Sequence, residues 1–172
     1  MPGSVSFSFF LFSPLTHSPR LGNLRVFMKP NMILPDLQCS LICEDVRQEA
    51  SGNFILVGII GLVRVPQVPI TAQKLCLFNR WTAGLGQFTE ETRLIHPDGT
   101  TVLRKSSVRF QLGDAAQHAT NVSVFPQVEF PVSGVFHVEV LVNDVMKLRF
   151  PLPVGVVQQP GGQPPAPEAP RA

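Results

Sequence analysis

GVFHVEVLVNDVMKLRFPLP, residues 134–153, is the stretch whose reading decides the fold. Phe136, Val138, Val140 and Val142 alternate with Val135, His137, Glu139 and Leu141, and Met146, Leu148, Phe150 and Leu152 alternate with Val145, Lys147, Arg149 and Pro151. A period of two marks a strand with one buried face. Residues facing each other across a hairpin lie on the same side of the sheet. A two-residue loop of Asn143 and Asp144 would set Val140 against Lys147, core against surface. A three-residue loop, residues 143–145, sets Val142 against Met146, Val140 against Leu148 and Val138 against Phe150. That loop is the expectation, with a bulge. It also predicts an exposed Glu139–Arg149 cross-strand ion pair, worth roughly 0.2–1 kcal/mol.

The same rule applies around His96-Pro97-Asp98-Gly99-Thr100, where Pro and Gly suit a type I turn followed by a glycine bulge. The expected register pairs Leu94 with Val102, Phe88 with Val108 and Glu91 with Lys105. The two-residue alternative sets Arg93 against Arg104, a like-charge clash. Two such hairpins point to an antiparallel β domain.

Further strands are expected over residues 38–45, 53–65, 74–81, 87–96, 101–112, 121–130, 135–142 and 146–152. The apolar run from Phe54 to Val63 is too short for a membrane-spanning helix, which needs ~20 residues. With Gly58 and Gly61 inside it, the run reads as a central strand covered on both faces. Pro66, Pro69, Pro126 and Pro151 should mark edges, bulges or strand ends. Many short strands at this spacing predict an all-β fold, an antiparallel β-sandwich of about eight strands, immunoglobulin-like or C2-like.

Residues 36–155 form the expected domain, with 10 Lys/Arg against 11 Asp/Glu. Such a near-neutral unit lacks the basic face of a nucleic-acid binder, and Arg104, Lys105 and Arg109 read as a solvated strand face. Cys39, Cys43 and Cys76 form no CxxC pair. Cys39 and Cys43, four apart on a strand, sit about 13 Å from each other, beyond the ~7 Å a disulfide allows. Free buried thiols in a reducing, cytoplasmic compartment are the simplest account.

Residues 1–35 read as a leader outside the domain, the product of an over-long start, with Met28 or Met32 as the native one. VSFSFFLF has no basic region before it and no Ala-x-Ala site after it, so a signal peptide is the lesser reading. Residues 156–172, rich in Pro and Gly, read as a disordered tail.

Leu41-Ile42-Cys43-Glu44-Asp45-Val46-Arg47, then Gly52 and Ile55-Leu56-Val57-Gly58-Ile59-Ile60, resembles the opening of an uncharacterised bacterial family classed only as a domain of unknown function. Phe130-Pro131, Gly134-Val135-Phe136 and Pro151-Leu152-Pro153-Val154 are similar to its C-terminal phrase. The resemblance implies a compact β-sandwich in a bacterial protein and carries no activity.

Little chemistry is legible. Cys43 has acidic neighbours, which disfavour a thiolate. His137 and Glu139 share a face, but Glu139 is already assigned to Arg149. No HExxH, GxGxxG, Walker A or GxSxG motif and no calcium loop occurs. Asn121-Val122-Ser123 fits a glycosylation sequon. No catalytic, cofactor or metal residue is assigned. Glu44, Asp45, Arg47 and Trp81 are the surface or interaction candidates, although a lone Trp at strand spacing more often fills a core.

The expected function is a non-enzymatic interaction or assembly module, with a protein partner or self-association and no nucleic acid or membrane. The alternative is a sandwich binding carbohydrate or calcium. Peptide mapping of natively expressed protein should find nothing before Met28; abundant peptides from that segment would contradict the late start.

Overall fold

The structure, a computed structural model, describes residues 5–9 and 32–157. The fold is all-β. Its strands are β1 (Val5–Phe9), β2 (Asp36–Gln48), β3 (Phe54–Ile59), β4 (Val63–Val65), β5 (Ile70–Thr82), β6 (Gly86–Ile95), β7 (Val102–Leu112), β8 (His118–Phe130), β9 (Gly134–Val142) and β10 (Val145–Val156). They form two five-stranded sheets, in the orders β1-β8-β5-β2-β3 and β4-β10-β9-β6-β7. All pairings are antiparallel except β4 with β10, which is parallel. β1 falls in the segment read from sequence as a leader, and its backbone pairs with β8 from Val5↔Val124 to Phe9↔Thr120. The expected disordered tail lies outside the described residues beyond Val157.

One core takes side chains from both sheets. Leu75, Leu77, Trp81 and Phe125 come from the first, and Phe88, Phe110, Phe136, Val138, Val140 and Leu152 from the second. Trp81 stacks on Phe110 with ring centroids 5.7 Å apart, and Phe130 meets Phe136 edge-on at 5.2 Å. Such aromatic pairs add about 0.5–1.5 kcal/mol each beyond burial. β5 and β8 switch faces together: Ile70, Ala72, Val128 and Phe130 join the core, but so do Leu75, Leu77 and Phe125. The switch falls at Gln127, whose φ is +48° beside Pro126, and it curls this sheet.

The two hairpins correct the expected registers. Val140↔Leu148, Glu139↔Arg149 and Val138↔Phe150 pair as expected, but the loop has two residues, not three. Asn143 and Asp144 take φ values of +47° and +65°, the left-handed pair of a type I′ turn. The extra residue sits beyond the turn, as a bulge between Met146 and Leu148. Met146 therefore faces Leu141 rather than Val142 and is 48% exposed. In the other hairpin Leu94 faces Arg104, Phe88 faces Phe110 and Glu91 faces Ser107. Arg93 stands directly opposite Lys105, the kind of like-charge pairing the sequence argument rejected. It is tolerated because Glu91 bonds both cations, and Glu139 of β9 lies 3.7 Å from Arg93.

The run from Phe54 to Val63 is also corrected. It is not one central strand. β3 is an edge strand of the first sheet, and the chain then crosses to β4 at the edge of the second. Pro151 and Pro126 lie where β10 and β8 each have a strand partner on one side only, which suits a residue that cannot donate a ladder bond.

Replacing fully buried Phe136 with Ala should cost about 3–5 kcal/mol in denaturant unfolding, whereas Met146→Ala should stay within about 0.5 kcal/mol. An equal loss at both positions would contradict the bulged register.

Candidate functional site

Three of the four sequence candidates lie on β2, and the structure separates them. Asp45 accepts from Lys74 Nζ at 2.5 Å and from Arg47 Nε at 3.2 Å. Lys74 is the stronger influence, with Arg47, in holding the Asp45 carboxyl below its usual range. Cys43 lies on the same face, opposite Cys76 in the register of β2 and β5. Both thiols are free and buried. Burial, with Cys76 and Asp45 adding to it, pushes Cys43 up to about 11, so it is a thiol at neutral pH and a poor nucleophile.

Glu44 points the other way. It lines an open depression of about 410 Å³ with Gly58, Ile59, Ile60, Gly61, Leu62 and Arg64. Gly58 has φ +63°, the left-handed region that favours glycine, and a Cβ there would come within 2.7 Å of the Glu44 carboxyl carbon, which would have to move aside. The depression opens beside the β3 edge, where Ile59 is 61% and Ile55 44% exposed. Among the described residues, no strand pairs with β3 on its outer side.

Trp81 joins none of these. It is fully buried and donates its indole N–H to Glu90. Glu90, on β6, is the residue that sequence reasoning missed. Only 1% exposed, its carboxylate crosses to the other sheet. Asn79 Nδ2 donates to Oε1 and Asn121 Nδ2 to Oε2, each at 2.7 Å, and Thr92 Oγ1 donates to Oε1 at 3.2 Å. Asn79 and Asn121 face each other in register on β5 and β8, forming a two-sided clamp. No cation is among the partners. Burial raises the Glu90 carboxyl above its ordinary value, against the pull of these four donors. The cluster is sealed from solvent and acts as a strut between the sheets. Its signal was available in the sequence, because Glu90 and Thr92 share the parity of Phe88 and Leu94. Asn121 of the sequon is the same clamp residue, fully buried, so it presents no glycosylation acceptor in the folded protein.

The outer face of the second sheet carries a chain of alternating charges across four strands, Lys105–Glu91–Arg93–Glu139–Arg149. Burial alone would raise Glu91, but Lys105 and Arg93 outweigh it and hold the carboxyl below its usual range. Glu139, expected to be exposed, is largely covered, and Arg149 lies 3.3 Å away. His137 gains no carboxylate from it. Asp98 accepts from the backbone N–H groups of Thr100 and Thr101 and from the Thr101 hydroxyl, which lowers its pKa and ties the carboxylate into the turn. Among the described residues, no group of three His, Cys, Asp or Glu side chains could hold a metal ion, and no helix is long and apolar enough to cross a membrane.

A raised Glu90 carboxyl keeps its proton in the folded chain over a range where the unfolded chain has lost it. Its contribution is therefore most favourable below the unfolded value and declines as pH rises toward the folded one. Asp45 and Glu91, both lowered, act in the opposite sense. In Glu90→Gln the decline with rising pH should vanish while the acid limb persists, so the variant gains melting temperature relative to the parent as pH rises above the ordinary carboxylate range. Parallel curves would contradict this assignment.

No curated protein matches the chain. The model of a family of unknown function, DUF6941, matches residues 38–155, most of the chain and nearly the whole described β domain. With that match over the two-sheet domain, the chain belongs to the DUF6941 family.

Proposed function

We propose that this protein is a non-enzymatic β-sandwich of the immunoglobulin-like or C2-like kind that works by binding protein, through the open side formed by β3 and β4. The observation that carries this reading is the β3 edge. Its sequence FILVGI has no charge and no proline, and its Ile55 and Ile59 side chains reach solvent. Edge strands are ordinarily guarded by charge, proline or a covering element, because unpaired backbone groups recruit other strands. An apolar edge with no strand beside it among the described residues is the geometry of strand addition.

The opposite side supports the reading by contrast. There Ser123 bonds Ser106 at 2.9 Å and Arg104 donates to the Gln127 carbonyl at 2.7 Å, so β7 and β8 close on each other. The buried, weakly acidic thiols suit a reducing, cytoplasmic setting.

Affinity purification from the native host should retain a stoichiometric protein partner, either a different chain or a second copy of this one. Ile55→Lys, at an exposed position, should lose that partner with an unchanged melting temperature. Retention of no partner by the parent chain, or equal retention by the variant, would contradict the reading.

A further inference from the structure

We propose that the β3 edge pairs with the β3 edge of a second copy of this chain, antiparallel and about a twofold axis. The inference rests on the reading of β3 as the interaction surface and names its partner. A twofold axis normal to the sheet keeps each face on its own side, so an odd-numbered residue of β3 meets an odd-numbered one. Centred on Val57, the pairing sets Ile55 against the second copy's Ile59, and Ile59 against its Ile55. The two most exposed side chains of the strand are covered in one step, and nothing charged within Phe54–Ile59 is buried.

Charge at the two ends of the strand selects the antiparallel direction. Glu49 lies in the turn before β3, opposite Asn53, and Arg64 lies in β4, past the crossing that follows β3 and beside the depression. Both are exposed, and neither is held in an ion pair among the described residues. Antiparallel pairing brings the start of one β3 beside the end of the other, so Glu49 of each copy lies at the same end of the contact as Arg64 of its mate. Parallel pairing would bring Glu49 to Glu49 and Arg64 to Arg64. The surface is thus self-complementary in both apolar pattern and charge, as an isologous contact requires.

Sedimentation of the full chain over a concentration series tests this. The parent should reach a dimer, and Ile59→Lys should be monomeric with an unchanged melting temperature. Arg64→Glu should raise the dimer dissociation constant roughly tenfold, the effect of turning two modest attractions into repulsions. The double variant Glu49→Arg with Arg64→Glu should restore it. A parent monomeric at its highest soluble concentration, an Ile59→Lys dimer, or a double variant without recovery would overturn the self-pairing. If the parent is monomeric but Ile59→Lys loses a stoichiometric foreign partner, self-pairing fails and the interaction reading stands; a monomer with no partner at all overturns both.

Discussion

Glu90 reaches from β6 into the opposite sheet and is held there by Asn79, Trp81 and Asn121, with Thr92 completing the set from its own strand. Apolar packing joins two sheets without fixing how far one slides over the other, because the hydrophobic effect has no direction. Four hydrogen bonds converging on one buried carboxylate do have direction. They set which residue of β6 lies over which residues of β5 and β8. The strut carries a cost, since burial disfavours the charged form of a carboxyl that has no cationic partner among the described residues. Removing one donor would leave charge or polar groups unsatisfied, which is worse than never having buried them. The arrangement is thus strict about geometry while being modest in net stabilisation.

From that strut the two lateral sides of the molecule differ. On one side β7 and β8 are tied together by Ser106–Ser123 and Arg104–Gln127. On the other, β3 ends one sheet and β4 ends the other, and the chain crosses between them through a short apolar segment. The outer face of the second sheet is occupied by its own chain of alternating charges, five side chains long. Polar capacity is consumed internally there, while the β3 edge has no strand beside it among the described residues and carries exposed isoleucines. A surface that is internally complete has little to offer a partner; an edge that is incomplete does.

Much of the fold was legible because period two is a strong signal. Phe136, Val138 and Val140 face inward as the alternation requires, and Glu139 does meet Arg149. The loop was misplaced because alternation cannot tell an extra loop residue from an extra bulge residue; both restore the same register two pairs later. The second register failed because the like-charge rule considered one strand pair, whereas Arg93 is neutralised by Glu91 beside it and by Glu139 from a third strand. β3 was read as central because an apolar run looks alike whether both faces are buried or one edge is bare. Of the site candidates, Asp45 and Arg47 do pair, yet Lys74 was invisible, 29 positions away on a strand whose neighbour could not be known. Glu90 was legible in principle, by its parity with Phe88 and Leu94, but a charge in a strand is ordinarily assigned to solvent.

Residue-resolved amide hydrogen exchange at low and high protein concentration tests the central claim, that β3 is an unsatisfied edge completed by its own kind. The account predicts that amides of β3 gain protection as concentration rises, while those of β5 and β8 around the Glu90 strut are protected throughout. Exchange in β3 that is independent of concentration would contradict it.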